Sequence, residues 1–122
     1  MNHSPDLRLA VTLRLLDGEG QRRFGPGVAA LLEEVREKRS LRAAAGSMGM
    51  AYSKAWRIIR NAEEALDCRL LESTIGGKHG GGAVLTAEAE GLLESYQALQ
   101  REVEVCAREG FAVRFGAFRK GE

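Results

Sequence analysis

Between Ser40 and Ala62 the chain carries Arg42, Lys54, Arg57 and Arg60 and no acidic residue, although the whole protein has a net charge of only +1. Cations gathered on one helix face displace counterions from a phosphate backbone, and their N–H groups reach base edges in a major groove. Ser53, Lys54 and Arg57 suit base contact, each good pair being worth about 1–3 kcal/mol of discrimination. Lys54 or Arg57 fits a guanine edge, and Arg42 or Arg60 fits phosphate, which positions a protein without reading sequence. A charged helix face is usually just solvated surface, but such faces interleave acids with bases, and this one does not. The chemistry implied is binding of double-stranded DNA.

Other chemistries fail on context. The run Gly76-Gly77-Lys78-His79-Gly80-Gly81-Gly82 lacks the Ser or Thr after Lys and the following helix that a phosphate-binding loop needs, and it does not sit in a βαβ unit. His3 and His79 are the only histidines, and neither is spaced from Cys or acids as zinc ligands are, so no metal and no cofactor is expected. Glu33-Glu34, Glu63-Glu64 and Glu72 have no nucleophile or oxyanion partner, so no catalytic set emerges and an enzyme is not expected. Cys68 and Cys106 form no Cys-x-x-Cys pair and read as buried or half-buried thiols of a reducing compartment.

These residues need elements to hold them. Ser40 suits an N-cap, Leu41, Ala44 and Ala45 give a short helix a buried face, and Gly46 and Gly49 punctuate a turn. Ala55, Ile59, Ala62 and Leu66 then recur at helical spacing, which turns Ser53, Lys54, Arg57, Arg60 and Asn61 to the opposite side. Trp56, at the edge of that stripe, reads as a core anchor. The pair is a helix-turn-helix over about 40–66. Leu70–Thr74 and Ala83–Thr86 flank the glycine run as a hairpin, a wing over about 70–86 that would carry Lys78 and His79 to backbone or minor groove.

Upstream, Val28, Leu31, Leu32 and Val35 mark a first helix that starts at Pro26 and runs to about Lys38. Leu7, Leu9, Val11, Leu13 and Leu15 alternate with the residues between them as in a strand with one buried face, and Gln21–Phe24 would return from a turn at Asp17–Gly20. Downstream, Thr86 caps a long helix over about 87–109. There Ala89, Leu92 or Leu93, Tyr96, Leu99, Val103 and Cys106 form a heptad seam, predicting a homodimer through Leu92, Tyr96, Leu99 and Val103. Residues 111–120 lack helical period and read as a strand or a tail.

The 122 residues suit one domain, with 29% charged and 44% hydrophobic residues near the globular average. No apolar run approaches the roughly 20 residues of a membrane span and no secretory signal opens the chain, so no membrane partner and a cytoplasmic location are expected. The fold class read from these elements is mainly α with small β (α+β), a winged helix-turn-helix with a long C-terminal dimerisation helix.

Gly49-Met50-Ala51-Tyr52-Ser53-Lys54-Ala55-Trp56 followed by Gly76–Thr86 resembles the N-terminal DNA-binding domain of molybdate-responsive (ModE-type) transcriptional regulators, a winged helix related to the LysR-type ones. The resemblance runs from about Leu9 to Arg101. It implies a homodimeric regulator whose recognition helices begin near Tyr52 and enter successive major grooves, with the block around Lys78 as the wing. Two departures stand out. Ala51 occupies a position where these regulators often carry Ser, removing a side-chain cap worth roughly 0.5–2 kcal/mol. The chain also leaves no room for the family's separate molybdate-binding domains, so no molybdate site is expected. The alternative is a protein-interaction module that keeps the fold and binds another regulator through its long helix.

Overall fold

Pro26 at the first helical position starts α1 (Pro26–Lys38), and the buried face it then builds, Ala29, Leu31, Leu32 and Val35, lies at the centre of the molecule. The computed structural model describes residues 6–74 and 82–118. Arg39 ends α1 in the left-handed region at φ 56°, its N–H donating to Val35 O at 2.7 Å. This turn leaves Ser40 extended, so that its hydroxyl accepts from Ala43 N at 3.0 Å and caps α2 (Leu41–Ser47). Leu41, Ala44 and Ala45 bury against α1.

Gly49, at φ 68°, lets the chain reverse while Met50 N bonds back to Ala45 O at 3.0 Å. α3 (Tyr52–Leu66) follows, starting at Ala51 without a side-chain cap. Asp67, also left-handed at φ 53°, ends it. Beyond lie β3 (Leu71–Thr74) and β4 (Gly82–Leu85), antiparallel with Leu71 opposite Leu85 and Thr74 opposite Gly82. Thr86 accepts from Ala89 N at 3.0 Å and donates to Arg69 O at 2.7 Å, so one hydroxyl both caps α4 (Ala87–Phe115) and ties it to the base of the wing. The arrangement is a mainly α, winged helix-turn-helix fold.

The N-terminal segment departs from expectation. Only β1 (Leu15–Leu16) pairs with β2 (Arg22–Phe24), and the alternation from Leu7 to Val11 builds no strand. A period-two pattern needs a partner ladder, and β2 is too short to supply one that far. Leu7, Leu9 and Val11 consequently stay exposed, while Leu13 and Leu15 pack on the core. Phe24 meets the edge of Tyr96 with ring centroids 5.1 Å apart, and the Tyr96 hydroxyl donates to Leu13 O at 2.7 Å.

The last helix is longer than its seam suggested. Gly110 does not stop it, and the segment expected as a strand or tail continues helical to Phe115, with a 3₁₀ turn over Gly116–Phe118. One helical glycine costs only about 1 kcal/mol, and Phe111 and Phe115 stack at i, i+4 with centroids 5.7 Å apart. At 29 residues the helix is about 43 Å long, and its buried positions Ala89, Leu93 and Tyr96 all lie in its first half. No helix of the described residues is long and apolar enough to cross a membrane.

Candidate nucleic-acid interface

α3 is positioned by its small, buried stripe. Ala55, Ile59 and Ala62 are sealed in the core and Leu66 is half-buried, which leaves Ser53, Lys54, Arg57, Arg60 and Asn61 on the exposed side. Alanines at two of the three sealed positions let the helix sit close against its neighbours while its polar face projects outward. Among the described residues neither Lys54 nor Arg57 is in a salt bridge. Their charges are therefore available to a ligand.

One flank of α3 faces the wing across a groove of about 440 Å³, lined among others by Arg42, Tyr52, Trp56, Arg60, Glu63 and Arg69. Arg42, from α2, lies with its guanidinium carbon 4.2 Å from the Tyr52 ring centroid. Arg60 lies 5.1 Å from the Trp56 centroid. A stacked guanidinium is held by the ring while its N–H edge stays free, so two cations are pre-positioned along this wall. Trp56 is thus a correction to the core-anchor reading: it is 49% exposed. Position 56 falls one residue past the buried Ala55, and helical rotation carries its ring out to the groove.

Glu63, an acid to which the sequence assigned no partner, turns inward. Its side chain is 12% exposed, accepts from Leu70 N at 2.8 Å and lies 3.8 Å from Arg69 Nε. The carboxylate so pins the α3–β3 connection and pairs with Arg69, whose side chain is 75% exposed at the base of the wing. Sequence reasoning missed Arg69; its place directly before the wing strand was the available signal. The wing is also fixed at its other strand, where Ala83 N donates to Arg39 O at 3.0 Å. A Cβ on Gly82 would lie 2.5 Å from Arg39 O, so only glycine permits this approach.

Lys78 and His79 lie outside the described residues. On α4, Tyr96 turns into the chain's own core at 3% exposure and Leu92 packs against that core, whereas Leu99 is 41% exposed and Val103 half-buried. The uncovered part of the helix adds Val105, Val113 and Phe115, which the seam did not include. Cys106 is exposed, contrary to the buried or half-buried reading, because it lies beyond the half of α4 that the core covers. Cys68 is half-buried, and burial, then Glu88, Glu63 and Asp67, push its thiol up from the usual range, which disfavours thiolate chemistry.

Two of the other glutamates weighed for acid–base work, Glu33 and Glu34, tie elements together. Glu34 accepts from Ser47 Oγ at 2.8 Å and pairs with Lys38 at 3.0 Å, and Gln97 donates to Glu33. No group of His, Cys, Asp and Glu able to hold a metal occurs among the described residues.

Residues 29–90, from the first turn of α1 into the first turn of α4, match the family of bacterial regulatory helix-turn-helix proteins of the lysR type. The chain is 36% identical over 93 residues to the molybdenum transport protein ModE of Herbaspirillum seropedicae, covering 76% of this chain and 33% of that protein. It is 37% identical over 79 residues to the transcriptional regulator ModE of Haemophilus influenzae, covering 65% and 31%. It is 36% identical over 81 residues to the molybdenum-pterin-binding protein MopB of Rhodobacter capsulatus, covering 66% and 30%. The chain spans about a third of the length of these relatives. Because the family match takes in α2, α3 and both wing strands over half of the sequence, the chain belongs to the LysR family of bacterial regulatory helix-turn-helix proteins.

Proposed function

We propose that this DNA-binding regulator reads a specific double-stranded sequence as a homodimer, inserting α3 into the major groove. The observation that carries the reading is the exposed, acid-free row of Ser53, Lys54, Arg57 and Arg60 on a helix whose other side is sealed by Ala55, Ile59 and Ala62. In it Lys54 and Arg57, with Ser53, contact base edges. Arg42 and Arg60, stacked on Tyr52 and Trp56, hold phosphates, and Lys78 and His79 extend the contact from the wing. Leu99 and Val103, on the uncovered half of α4, supply the dimer contact. The name of one relative states transcriptional regulation, and two others name molybdenum. For this chain we propose no catalytic activity, and we expect it to act in the cytoplasm.

Selection of bound fragments from random duplex DNA tests this directly. A palindrome with half-sites about one helical turn apart, or a multiple of it, is expected. Intact duplex affinity in Lys54→Ala/Arg57→Ala, or a log-affinity against log-salt slope near zero, overturns the reading.

A second reading, an interaction module that binds another regulator, is favoured by the apolar surface of distal α4, where Val113 is 81% exposed. Sedimentation giving a monomer that forms a stable heterodimer, together with no duplex binding, selects it instead.

A further inference from the structure

The other flank of α3 is cationic too. Lys54, Ile58 and Asn61 follow one another at i, i+4, i+7 on the side away from the wing. Ile58 and Asn61 share a cleft of about 290 Å³ with Arg14, Arg22 and Arg23 of the N-terminal hairpin. No carboxylate lines it. Arg23 is engaged at the hairpin turn, its Nε 2.9 Å from Asp17 Oδ2. Arg14 and Arg22 are exposed and in no salt bridge among the described residues.

The hairpin is anchored well enough to hold these charges in place. Asp17 accepts from Glu19 N and Gln21 N at 2.8 and 3.0 Å, which fixes the turn. Phe24 is sealed against Tyr96, and Tyr96 in turn holds Leu13 O beside Arg14. β2 also packs on α3.

A helix in a major groove has a phosphate backbone along each wall. The wall on the wing side meets Arg42 and Arg60. We infer that Arg14 and Arg22 hold the phosphates of the opposite wall, so that the N-terminal hairpin is a second arm of the interface and α3 is gripped from both flanks. This rests on the DNA-binding reading above and adds a contact surface to it.

The test is fluorescence anisotropy of the full chain on a mixed-sequence duplex about three helical turns long, across a salt series. Arg14→Ala/Arg22→Ala is expected to make the log-affinity against log-salt slope shallower by about 2 per protomer, each single variant by about 1. Arg14→Lys/Arg22→Lys keeps the charges and should keep the slope. Arg8→Ala, which removes one charge, as each single variant does, from a side chain that is 87% exposed and does not line the cleft, should leave it unchanged. If the double alanine variant retains the secondary structure and melting temperature of the parent but also its slope, the arm is overturned while the DNA-binding reading stands. A near-zero slope in the parent overturns both.

Discussion

The guanidinium of Arg42 stacks 4.2 Å from the ring centroid of Tyr52, joining the first helix of the helix-turn-helix to the second at the mouth of the groove beside the wing. Both residues are exposed, so the stack contributes little to the fold. Its effect is to limit where a mobile cation can go. Tyr52→Leu is therefore expected to lower duplex affinity about two- to fivefold, the equivalent of about 0.5–1 kcal/mol for an exposed cation–π pair. The urea midpoint should stay nearly constant, as at most exposed surface positions. Anisotropy and urea denaturation on one preparation separate the two effects.

Trp56 gives the sharper contrast, because a buried tryptophan and an exposed one fail differently. Were it a core anchor, Trp56→Ala would cost about 3–5 kcal/mol. At 49% exposure, with the Arg60 guanidinium over its ring, it should cost less than about 1 kcal/mol and act instead on DNA affinity.

Tyr96 is the tie between the N-terminal segment and α4. Tyr96→Phe leaves the Leu13 carbonyl without its 2.7 Å donor and should destabilise the chain by about 1–2 kcal/mol in urea denaturation. Burial, the leading cause, holds the Tyr96 phenol above its usual range. The folded state thus resists ionisation more than the unfolded state does. This contribution is complete below about pH 10, the unfolded value, and is lost as pH rises beyond it. The phenylalanine variant should lose stability less steeply over that alkaline range.

Two glycines should respond oppositely to alanine. At Gly82 the new Cβ would meet the Arg39 carbonyl at 2.5 Å and Thr74 Oγ1 at 2.9 Å, and backbone cannot yield as a side chain can. Gly82→Ala should destabilise by about 1–3 kcal/mol and loosen the wing. Gly91 lies inside α4 with nothing within 4 Å of the added carbon, so Gly91→Ala should stabilise by about 0.5–1 kcal/mol. Thermal melts of the pair test both signs.

Local signals read well and long-range ones did not. Ser40 and Thr86 cap the helices expected of them, and the Ala55, Ile59, Ala62 stripe aims α3 as its spacing requires, because both follow from groups within a turn of one another. The alternation from Leu7 to Val11 misled because pairing depends on a strand elsewhere in the chain, and β2 ends after three residues. Glu63 was unreadable for a related reason. Which of the adjacent Glu63 and Glu64 turns inward depends on an unpaired amide seven residues further on, Leu70 N, that only the folded connection brings within reach.

The heptad seam shows the same limit, and it shapes the last prediction. Spacing alone cannot tell a stripe that meets its own domain from one left for a partner. Here it is divided: Ala89, Leu93 and Tyr96 are consumed by the core, while Leu99 stays 41% exposed, joined outside the seam by Val105 and Val113 at 45 and 81%. If the uncovered part joins two copies, Leu99→Glu/Val113→Glu places charges in that contact and should give a folded monomer by sedimentation equilibrium. Its duplex affinity should fall steeply, because each half-site is then bound without the gain in effective concentration that a linked second copy provides. Tyr96→Glu, by contrast, should unfold the chain, since it would bury an unpaired charge beside Phe24. A parent that sediments as a monomer at concentrations where it binds a palindrome with full affinity would leave distal α4 without this role.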